Sequence, residues 1–260
     1  MFALLNGYGR PLVVGHRGAP RLAPENTMAG FEAAAAAGAD GFELDVHRSS
    51  DGAIVVIHDP TLERTTGVTG RVSETTASRL ANVDAGWAFA GPAGDHPFRG
   101  RGVGVPVLES VLDFAAGAGL VVNVEIKAEA DDALLAGDVA RLVAARGETD
   151  RVFLSSFSID FARAAVAAAP EVAVALLTLG WAPSEALPAA VDAGCRGLHP
   201  DLVTLEAAGA AEVVSAAREA GCWVAPWTLN DAAAVAGVAR AGVAAVITDD
   251  PAMAREALDA

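Results

Sequence analysis

Short apolar runs recur along the chain, and most of them end in polar residues before an alanine-rich stretch that closes at Gly or Pro. Six runs follow residue 119, at residues 120–126, 152–154, 172–177, 195–198, 222–225 and 243–247. Two earlier runs, 12–14 and 42–46, are separated by a helical segment at 25–37. Strands that alternate with helices in this way predict a parallel sheet with both faces covered, and eight such units favour an α/β fold of the (β/α)8 TIM barrel type. An open doubly wound sheet with a dinucleotide site is the alternative, but no G-x-G-x-x-G follows the first strand.

One strand-like run, at residues 53–58, breaks this repeat. Only Asp51-Gly52 separates it from the preceding strand, so it must return antiparallel as a hairpin. A two-residue turn at these positions would place His58 opposite Asp45. Residues 59–104 then lack a clear period, which predicts an insertion that caps the barrel mouth after the second barrel strand. The 260 residues match the roughly 250 that one barrel needs, so residues 1–260 are expected to form a single domain.

Composition and charge narrow the possible classes of protein. Hydrophobic residues make up 53% of the chain. The longest stretch without Asp, Glu, Lys or Arg nevertheless runs only from residue 172 to 184, too short to span a bilayer. The start lacks the basic and apolar pattern of a secretory signal, so a cytoplasmic location is expected. A net charge of -15 argues against nucleic acid and against stable membrane association as partners. Cys195 and Cys222 lack metal-site spacing and are expected to be buried, reduced thiols.

Charged side chains gather where the apolar runs end. Strand alternation places Glu43 and Asp45 on one face of the second strand, and Glu125 and Lys127 on one face of the next barrel strand. Several carboxylates in a poorly solvated place must be paired or must bind a metal. A set of carboxylates suits a hard divalent cation, Mg²⁺ or Ca²⁺, better than zinc. The alternative is that Glu43 and Asp45 form structural ion pairs with neighbouring cations, namely Arg17, Lys127 or Arg48.

Two histidines flank this predicted metal site. His16 closes the first strand and His58 returns on the hairpin, so the two imidazoles can divide the acid and base roles. Arg17 and Lys127 offer the local positive charge that phosphate binding requires in an acidic protein. The chain has no P-loop, no G-x-S-x-G and no H-E-x-x-H. These features together favour metal-assisted phosphodiester chemistry. The remaining histidines are expected to be structural: His47, His96 and His199.

An ordered set of motifs resembles the glycerophosphodiester phosphodiesterase family over nearly the whole chain. It comprises His16-Arg17-Gly18, Pro24-Glu25-Asn26-Thr27, Gly38-Ala39-Asp40 with Glu43-Leu44-Asp45-Val46, Asp51-Gly52, His58-Asp59, Leu62-Glu63-Arg64-Thr65-Thr66, Asp84-Ala85-Gly86-Trp87, Pro106 with Leu108-Glu109, Glu125-Ile126-Lys127, Trp227-Thr228-Leu229-Asn230 and Ile247-Thr248-Asp249-Asp250-Pro251. The resemblance implies metal ligation by Glu43, Asp45 and Glu125, acid/base roles for His16 and His58, and phosphate contacts from Arg17 and Lys127. It also implies that Trp227 lines the glycerol or head-group side. The departures from the family pattern are modest. Pro226 precedes the tryptophan where an aliphatic residue is expected, and Ala244-Ala245 replaces a more polar approach to the last strand.

The expected reaction is hydrolysis of a small-molecule glycerophosphodiester to glycerol 3-phosphate and an alcohol. A lysophospholipase D-like activity is an alternative that would need an apolar groove near the insertion, and residues 59–104 show no long apolar stripe. A catalytically inactive binding barrel is the other alternative, and it would predict the loss of some of the chemical positions, all of which are present. The head group, the choice between Mg²⁺ and Ca²⁺, and the oligomeric state stay open.

Overall fold

Eight parallel strands surround a common axis in the computed structural model, which describes residues 10–127 and 134–260. They are β1 (Leu12–Gly15), β2 (Gly41–Arg48), β4 (Val121–Ile126), β5 (Val152–Ser156), β6 (Val174–Thr178), β7 (Gly197–Pro200), β8 (Trp223–Val224) and β9 (Ala245–Thr248). Each strand from β1 to β7 pairs with the next one in the series, and β9 pairs with β1, which leaves a gap between β8 and β9. Backbone hydrogen bonds close the remaining gap, with Ala244 N donating to Val224 O at 2.8 Å and Ile247 N to Pro226 O at 3.1 Å. The predicted (β/α)8 barrel is confirmed.

Helices cover the outside of this barrel. They are α1 (Met28–Ala36), α4 (Leu108–Ala118), α5 (Leu135–Ala145), α6 (Ile159–Ala168), α7 (Pro183–Asp192), α8 (Leu202–Ala207), α9 (Ala210–Glu219), α10 (Ala232–Ala241) and α11 (Pro251–Asp259). Several begin at a side-chain cap, as where Thr27 accepts a hydrogen bond from Gly30 N and Asp231 accepts one from Ala234 N. Helix α10 ends as predicted before Gly242, whose φ of 86° satisfies the left-handed cap.

Side-chain alternation along β2 and β4 divides the core into two layers. Phe42, Leu44 and Val46 face the helices and join the large outer cluster. The intervening positions Glu43 and Asp45 therefore face the barrel interior. An inner cluster that includes Phe153, Trp223 and Ile247 occupies the interior with small aliphatic side chains. Gly15, the last residue of β1, pairs with Phe42, so Glu43 and Asp45 lie beyond the carboxyl end of β1, at the end of the barrel where such folds place their active sites.

The hairpin after β2 differs from the prediction by one residue. Strand β3 (Ile54–Val56) pairs antiparallel with β2, with Val46 opposite Val56 and Arg48 opposite Ile54. Ser49 N donates to Ala53 O at 2.9 Å, which leaves three residues in the turn rather than two. Gly52, at φ 89°, supplies the left-handed position that a three-residue turn requires. The predicted register, which set His58 opposite Asp45, is therefore wrong.

Residues 59–104 fold around a small apolar cluster of their own. The segment contains the short helices α2 (Glu63–Thr66) and α3 (Ala77–Leu80) and a 3-10 turn at Val72–Glu74. Leu62, Val72 and Leu80 pack with Val55 of β3, so the segment shares its core with the hairpin. Arg64 Nη1 donates to Glu25 Oε2 at 2.8 Å, which ties the segment to the loop after β1. The insertion thus lies beside the barrel mouth.

Two further expectations concern cysteines and membranes. Cys195 and Cys222 are buried and free, as predicted. Burial raises the pKa of the Cys195 thiol to about 12, so it stays protonated near neutral pH. Across residues 10–127 and 134–260, none of the helices combines the length and the apolar composition that crossing a bilayer requires.

Candidate active site

Three carboxylates from two adjacent strands meet at the barrel mouth. Glu43 and Asp45 come from β2 and Glu125 from β4, and Asp45 lies opposite Glu125 in the ladder. All three are buried, and one oxygen from each lies within 4.8 Å of the others. The sequence predicted this group because inward-facing side chains of neighbouring parallel strands lie side by side at the same end of the barrel.

Two cations neutralise this cluster in part. Lys127 Nζ lies 2.8 Å from Asp45 Oδ1 and 2.5 Å from Glu125 Oε1. Arg17 Nε lies 3.3 Å from Asp45 Oδ2. Arg48, the third candidate partner, instead pairs with Asp138 at 2.8 Å. Of the structural ion pairs weighed above, those of Asp45 with Arg17 and Lys127 are therefore present, whereas Glu43 has no salt bridge within the described residues.

Glu43 carries the least compensated charge of the three. Its Oε2 accepts a hydrogen bond from Arg17 N at 2.8 Å, whereas its buried Oε1 has no hydrogen-bond partner within the described residues. Burial, together with the charges of Asp45 and Glu125, raises the pKa of Glu43 well above its ordinary value. Burial also raises the pKa of Glu125. Burial opposes ionisation of Asp45 too, but Lys127, Arg17 and His58 hold its pKa below the usual range. An unpartnered buried oxygen within such a cluster suits a bound cation.

The loop after β1 supports Asp45 through a residue that sequence reasoning did not assign. Asn26 Nδ2 donates to Asp45 Oδ2 at 2.7 Å, and Asp45 N donates to Asn26 Oδ1 at 3.1 Å. Asn26 adopts a φ of 54°, in the left-handed region that asparagine tolerates better than most residues. The only sequence signal for this contact was its place in Pro24-Glu25-Asn26-Thr27.

Each of the two candidate catalytic histidines contacts a carboxylate through Nδ1. His16 Nδ1 lies 2.7 Å from Asp249 Oδ1, and Asn230 Nδ2 donates to the other Asp249 oxygen at 2.6 Å. His58 Nδ1 lies 2.5 Å from Asp59 Oδ1. A carboxylate can only accept, so both Nδ1 atoms carry the proton and both Nε2 atoms are the ones available for chemistry.

Local charges set the protonation of the His58 pair. Burial lowers the pKa of His58, although Asp45 and Asp59 oppose that effect. Burial would raise the pKa of Asp59, but hydrogen bonds from Arg64 and His58 bring it to about 2. Asp59 therefore remains an acceptor throughout the neutral range. Its role was not assigned from the sequence, although it belongs to the quoted His58-Asp59 motif.

The other histidines lie in contacts that fit the structural role expected of them. His47 Nε2 donates to the carbonyl of His58 at 2.9 Å. His96 Nδ1 lies 2.7 Å from Phe89 O in the insertion. His199 is fully buried, and burial lowers its pKa to about 3.

A cavity of about 230 Å³ brings the candidate residues together. Its polar wall comprises His16, Arg17, Glu43, His58, Asn123, Glu125 and Lys127, with Asp45 buried beside them. The opposite wall is apolar and includes Trp227, whose Nε1 donates to His199 O at 2.9 Å and whose ring meets Phe157 at 5.4 Å. His58 reaches the cavity despite the shifted register, because β3 ends at Val56.

Asn123 is a further polar residue of this cavity that sequence reasoning missed. It is fully buried, and neither of its amide atoms has a hydrogen-bond partner in the described part of the chain. It faces Glu43 in the ladder between β2 and β4. The signal available was its inward parity with Glu125, two residues later, in a strand that is otherwise apolar.

Comparisons with known proteins agree with this architecture. The sequence model of the glycerophosphoryl diester phosphodiesterase family matches residues 16–253. A glycerophosphodiester phosphodiesterase of Caldanaerobacter subterraneus subsp. tengcongensis is 34% identical over 246 residues, which cover 93% of this chain and 95% of the relative. The crystal structure of a glycerophosphodiester phosphodiesterase from Agrobacterium tumefaciens is 30% identical, with a TM-score of 0.78 over 95% of this chain and 99% of that one. A phosphodiesterase from Oleispira antarctica, solved with the product sn-glycerol-3-phosphate, is 26% identical, with a TM-score of 0.81 over 97% of this chain and 98% of that one.

Proposed function

Because the chain belongs to the glycerophosphoryl diester phosphodiesterase family, we propose that it hydrolyses glycerophosphodiesters to glycerol 3-phosphate and an alcohol in a metal-dependent reaction with two histidines as acid and base. The observation that carries the proposal is the meeting, in one cavity, of two carboxylate-bound histidines and a buried acidic cluster.

Glu43, Asp45 and Glu125 are the residues that would hold the cation. Their carboxylate oxygens are ligands that suit Mg²⁺ or Ca²⁺. Oε1 of Glu43 has no hydrogen-bond partner within the described residues and is therefore available as a ligand. A divalent cation bound there would stabilise the negative charge that develops on the phosphate oxygens. Asn26 holds the Asp45 carboxylate in place from behind.

Arg17 and Lys127 supply the positive charge for the substrate phosphate. Both line the cavity, and both are largely buried against carboxylates. The surrounding charges of Asp45 and Glu25 outweigh burial and raise the pKa of Arg17, so its guanidinium stays charged. In a protein with a net charge of -15, these two residues make the cavity locally suited to an anion.

The acid and base roles follow from the hydrogen bonds of the histidines. With Nδ1 bound to Asp249, His16 presents Nε2 to accept the proton of the glycerol hydroxyl next to the phosphoester. That oxygen attacks phosphorus, and His58 protonates the departing alcohol as the phosphorus–oxygen bond breaks. The resulting cyclic phosphate is opened by water with the two roles exchanged, which yields glycerol 3-phosphate. Each positioned proton transfer is worth about 10² to 10⁴ in rate.

The insertion is proposed to act as part of a single domain with the barrel. Its small core includes Val55 of β3, and its Arg64 bonds both to Glu25 of the β1–α1 loop and to Asp59 next to His58. Residues 59–104 would therefore orient His58 as well as cover one side of the mouth.

One observation supports a lysophospholipase D-like activity. It lies away from the insertion, near which an apolar groove was expected. Exposed apolar side chains follow three consecutive strands: Phe157 after β5 (43% exposed), Leu179 after β6 (69%) and Val203 after β7 (76%). Phe157 also contacts Trp227 of the cavity. An acyl chain on the glycerol could lie along this side, opposite the insertion.

The cyclic route gives the sharpest test of the proposed function. A glycerophosphocholine analogue that lacks the hydroxyl next to the phosphoester should bind and act as a competitive inhibitor, yet it should turn over poorly. His16→Ala should fail on the ordinary substrate, whereas His58→Ala should recover in part when the leaving group needs no protonation. Normal turnover of the deoxy analogue would refute the cyclic route. Failure to hydrolyse glycerophosphodiesters and lysophospholipids alike, with metal present, would refute the phosphodiesterase assignment.

A further inference from the structure

A second cavity, of about 400 Å³, adjoins the first at Lys127, which lines both. It lies between the β2–β3 hairpin, the 3-10 turn of the insertion and the start of α5. Its polar lining within the described residues is basic or neutral and consists of His47, Arg48, Ser49, Ser50, Arg71, Ser73 and Lys127. No acidic side chain among the described residues lines it.

The second cavity lies on the side of the active site where the proposed reaction releases the alcohol. His47, in its wall, donates through Nε2 to the carbonyl of His58 at 2.9 Å. Pro60, two residues beyond His58, lines it as well. The cavity therefore lies on the His58 side of the site, whereas Trp227 and Phe157 lie on the other wall of the first cavity. The alcohol that His58 protonates would leave toward this second cavity.

The described residues that line the second cavity carry positive charge, which is opposite to the net charge of the protein. Arg48 is held in place by Asp138 at 2.8 Å. For Arg71, by contrast, the described residues show backbone contacts alone, such as that from Thr75 Oγ1 to its carbonyl at 2.8 Å. The guanidinium of Arg71 is thus available to an anion, and the hydroxyls of Ser50 and Ser73 can add hydrogen bonds.

We propose, on the basis of the phosphodiesterase function above, that this cavity binds the alcohol half of the substrate and selects glycerophosphodiesters whose alcohol carries an anionic group. A neutral polyol would bind less well, and a quaternary ammonium head group would be disfavoured by Arg48 and Arg71. The overall charge of -15 would produce the reverse order, so a preference for the anion identifies a local site.

A matched substrate pair tests this preference: glycerophosphoglycerol, and the same diester with a phosphate on its terminal hydroxyl. The metal-loaded enzyme should show a kcat/KM about tenfold higher for the phosphorylated substrate, equivalent to about 1.4 kcal/mol. Arg71→Ala should abolish this advantage through KM and leave glycerophosphoglycerol turnover unchanged. Arg71→Glu should shift the preference toward glycerophosphocholine. Arg79→Ala, an exposed arginine of the insertion outside the cavity, is the matched control and should behave as the wild type.

The outcomes separate the two proposals. Hydrolysis of both substrates with equal kcat/KM, unaffected by Arg71→Ala, would overturn the head-group site and leave the phosphodiesterase function standing. A preference that survives in Arg71→Ala would show that the anion binds elsewhere and would also overturn it. Hydrolysis of neither substrate, nor of glycerophosphocholine, would overturn the proposed function itself.

Discussion

His16 Nδ1 and Asp249 Oδ1 lie 2.7 Å apart across the first and last strands of the barrel. The two strands are held in register there, because His16 N donates to Thr248 O at 2.7 Å. Asp249 is fixed in turn by Asn230, which donates to its second oxygen and accepts from its backbone N–H. The imidazole therefore has a defined tautomer and direction, with Nε2 turned to the cavity.

Replacing Asp249 by Asn should lower kcat by about 10² or more, because the base loses the acceptor that fixes its tautomer and stabilises its charged form. Metal affinity should be unchanged, since Asp249 lies outside the acidic cluster. Steady-state kinetics with glycerophosphocholine and a metal titration test both statements. Asp250→Asn is the control, because Asn also caps a helix and Asp250 does not contact His16. Equal kcat values for the wild type and Asp249→Asn would remove Asp249 from this role.

Arg17→Lys should reduce kcat/KM by about tenfold or more, because an ammonium group cannot reproduce the planar, two-pronged contact of guanidinium with phosphate. The guanidinium is also held between Glu25 and Asp45, at 3.1 and 3.3 Å. Arg21→Lys, at an exposed pair with Asp250, should have no effect. Unaltered kinetics in Arg17→Lys would show that Arg17 acts as a simple counter-ion.

Glu43→Gln should stabilise the metal-free protein at pH 7 by about 1–3 kcal/mol, because it removes a buried charge that lacks a full set of partners. The folded-state pKa of Glu43 is raised, so the wild type should recover stability relative to the variant as the pH falls through that pKa. Urea unfolding in EDTA at pH 7 and pH 5 measures both effects. A variant less stable than the wild type at pH 7 would show that the Glu43 charge is compensated without a metal.

His199 should make the protein sensitive to acid. Burial lowers its folded-state pKa from 6.5 to about 3, so the unfolded chain takes up a proton below pH 6.5 that the folded protein does not. Its contribution to stability is complete above pH 6.5 and is lost as the pH falls. The side-chain amide in His199→Gln can still accept a hydrogen bond from Trp223 Nε1. Between pH 7 and pH 5 the free energy of unfolding of this variant should fall by about 2 kcal/mol less than that of the wild type. Surface His96→Gln should follow the wild type, and an identical loss in His199→Gln would contradict the account.

The sequence predicted the barrel and its charged mouth because both depend on local patterns. Eight apolar runs define the strands, and the alternation of Glu43 and Asp45 with Phe42, Leu44 and Val46 defines the inward face of β2, without knowledge of tertiary contacts. The observed strands extend one or two residues beyond several of the predicted runs, as at Thr178 and Thr248, because pairing with a neighbour continues past the last apolar residue.

Features that depend on long-range contacts were not predictable in the same way. The register of the hairpin depended on whether its turn had two residues or three. The sequence around Asp51-Gly52 is compatible with both lengths. The contacts of Asp249 with His16 and of Asn26 with Asp45 join residues distant in sequence. The apolar side chains after β5, β6 and β7 belong to three separate segments of the chain, and Val203 lies in α8, so no continuous stripe revealed them.

The most direct test of the account is the turnover of glycerophosphocholine by protein whose metal content is measured on the same sample. Protein stripped with EDTA should be inactive, and Mg²⁺ or Ca²⁺ should restore activity with about one ion per chain. Asp45→Asn should bind the ion more weakly and should remain folded. Full turnover by protein shown to contain no metal would contradict the claim that Glu43, Asp45 and Glu125 form a catalytic metal site.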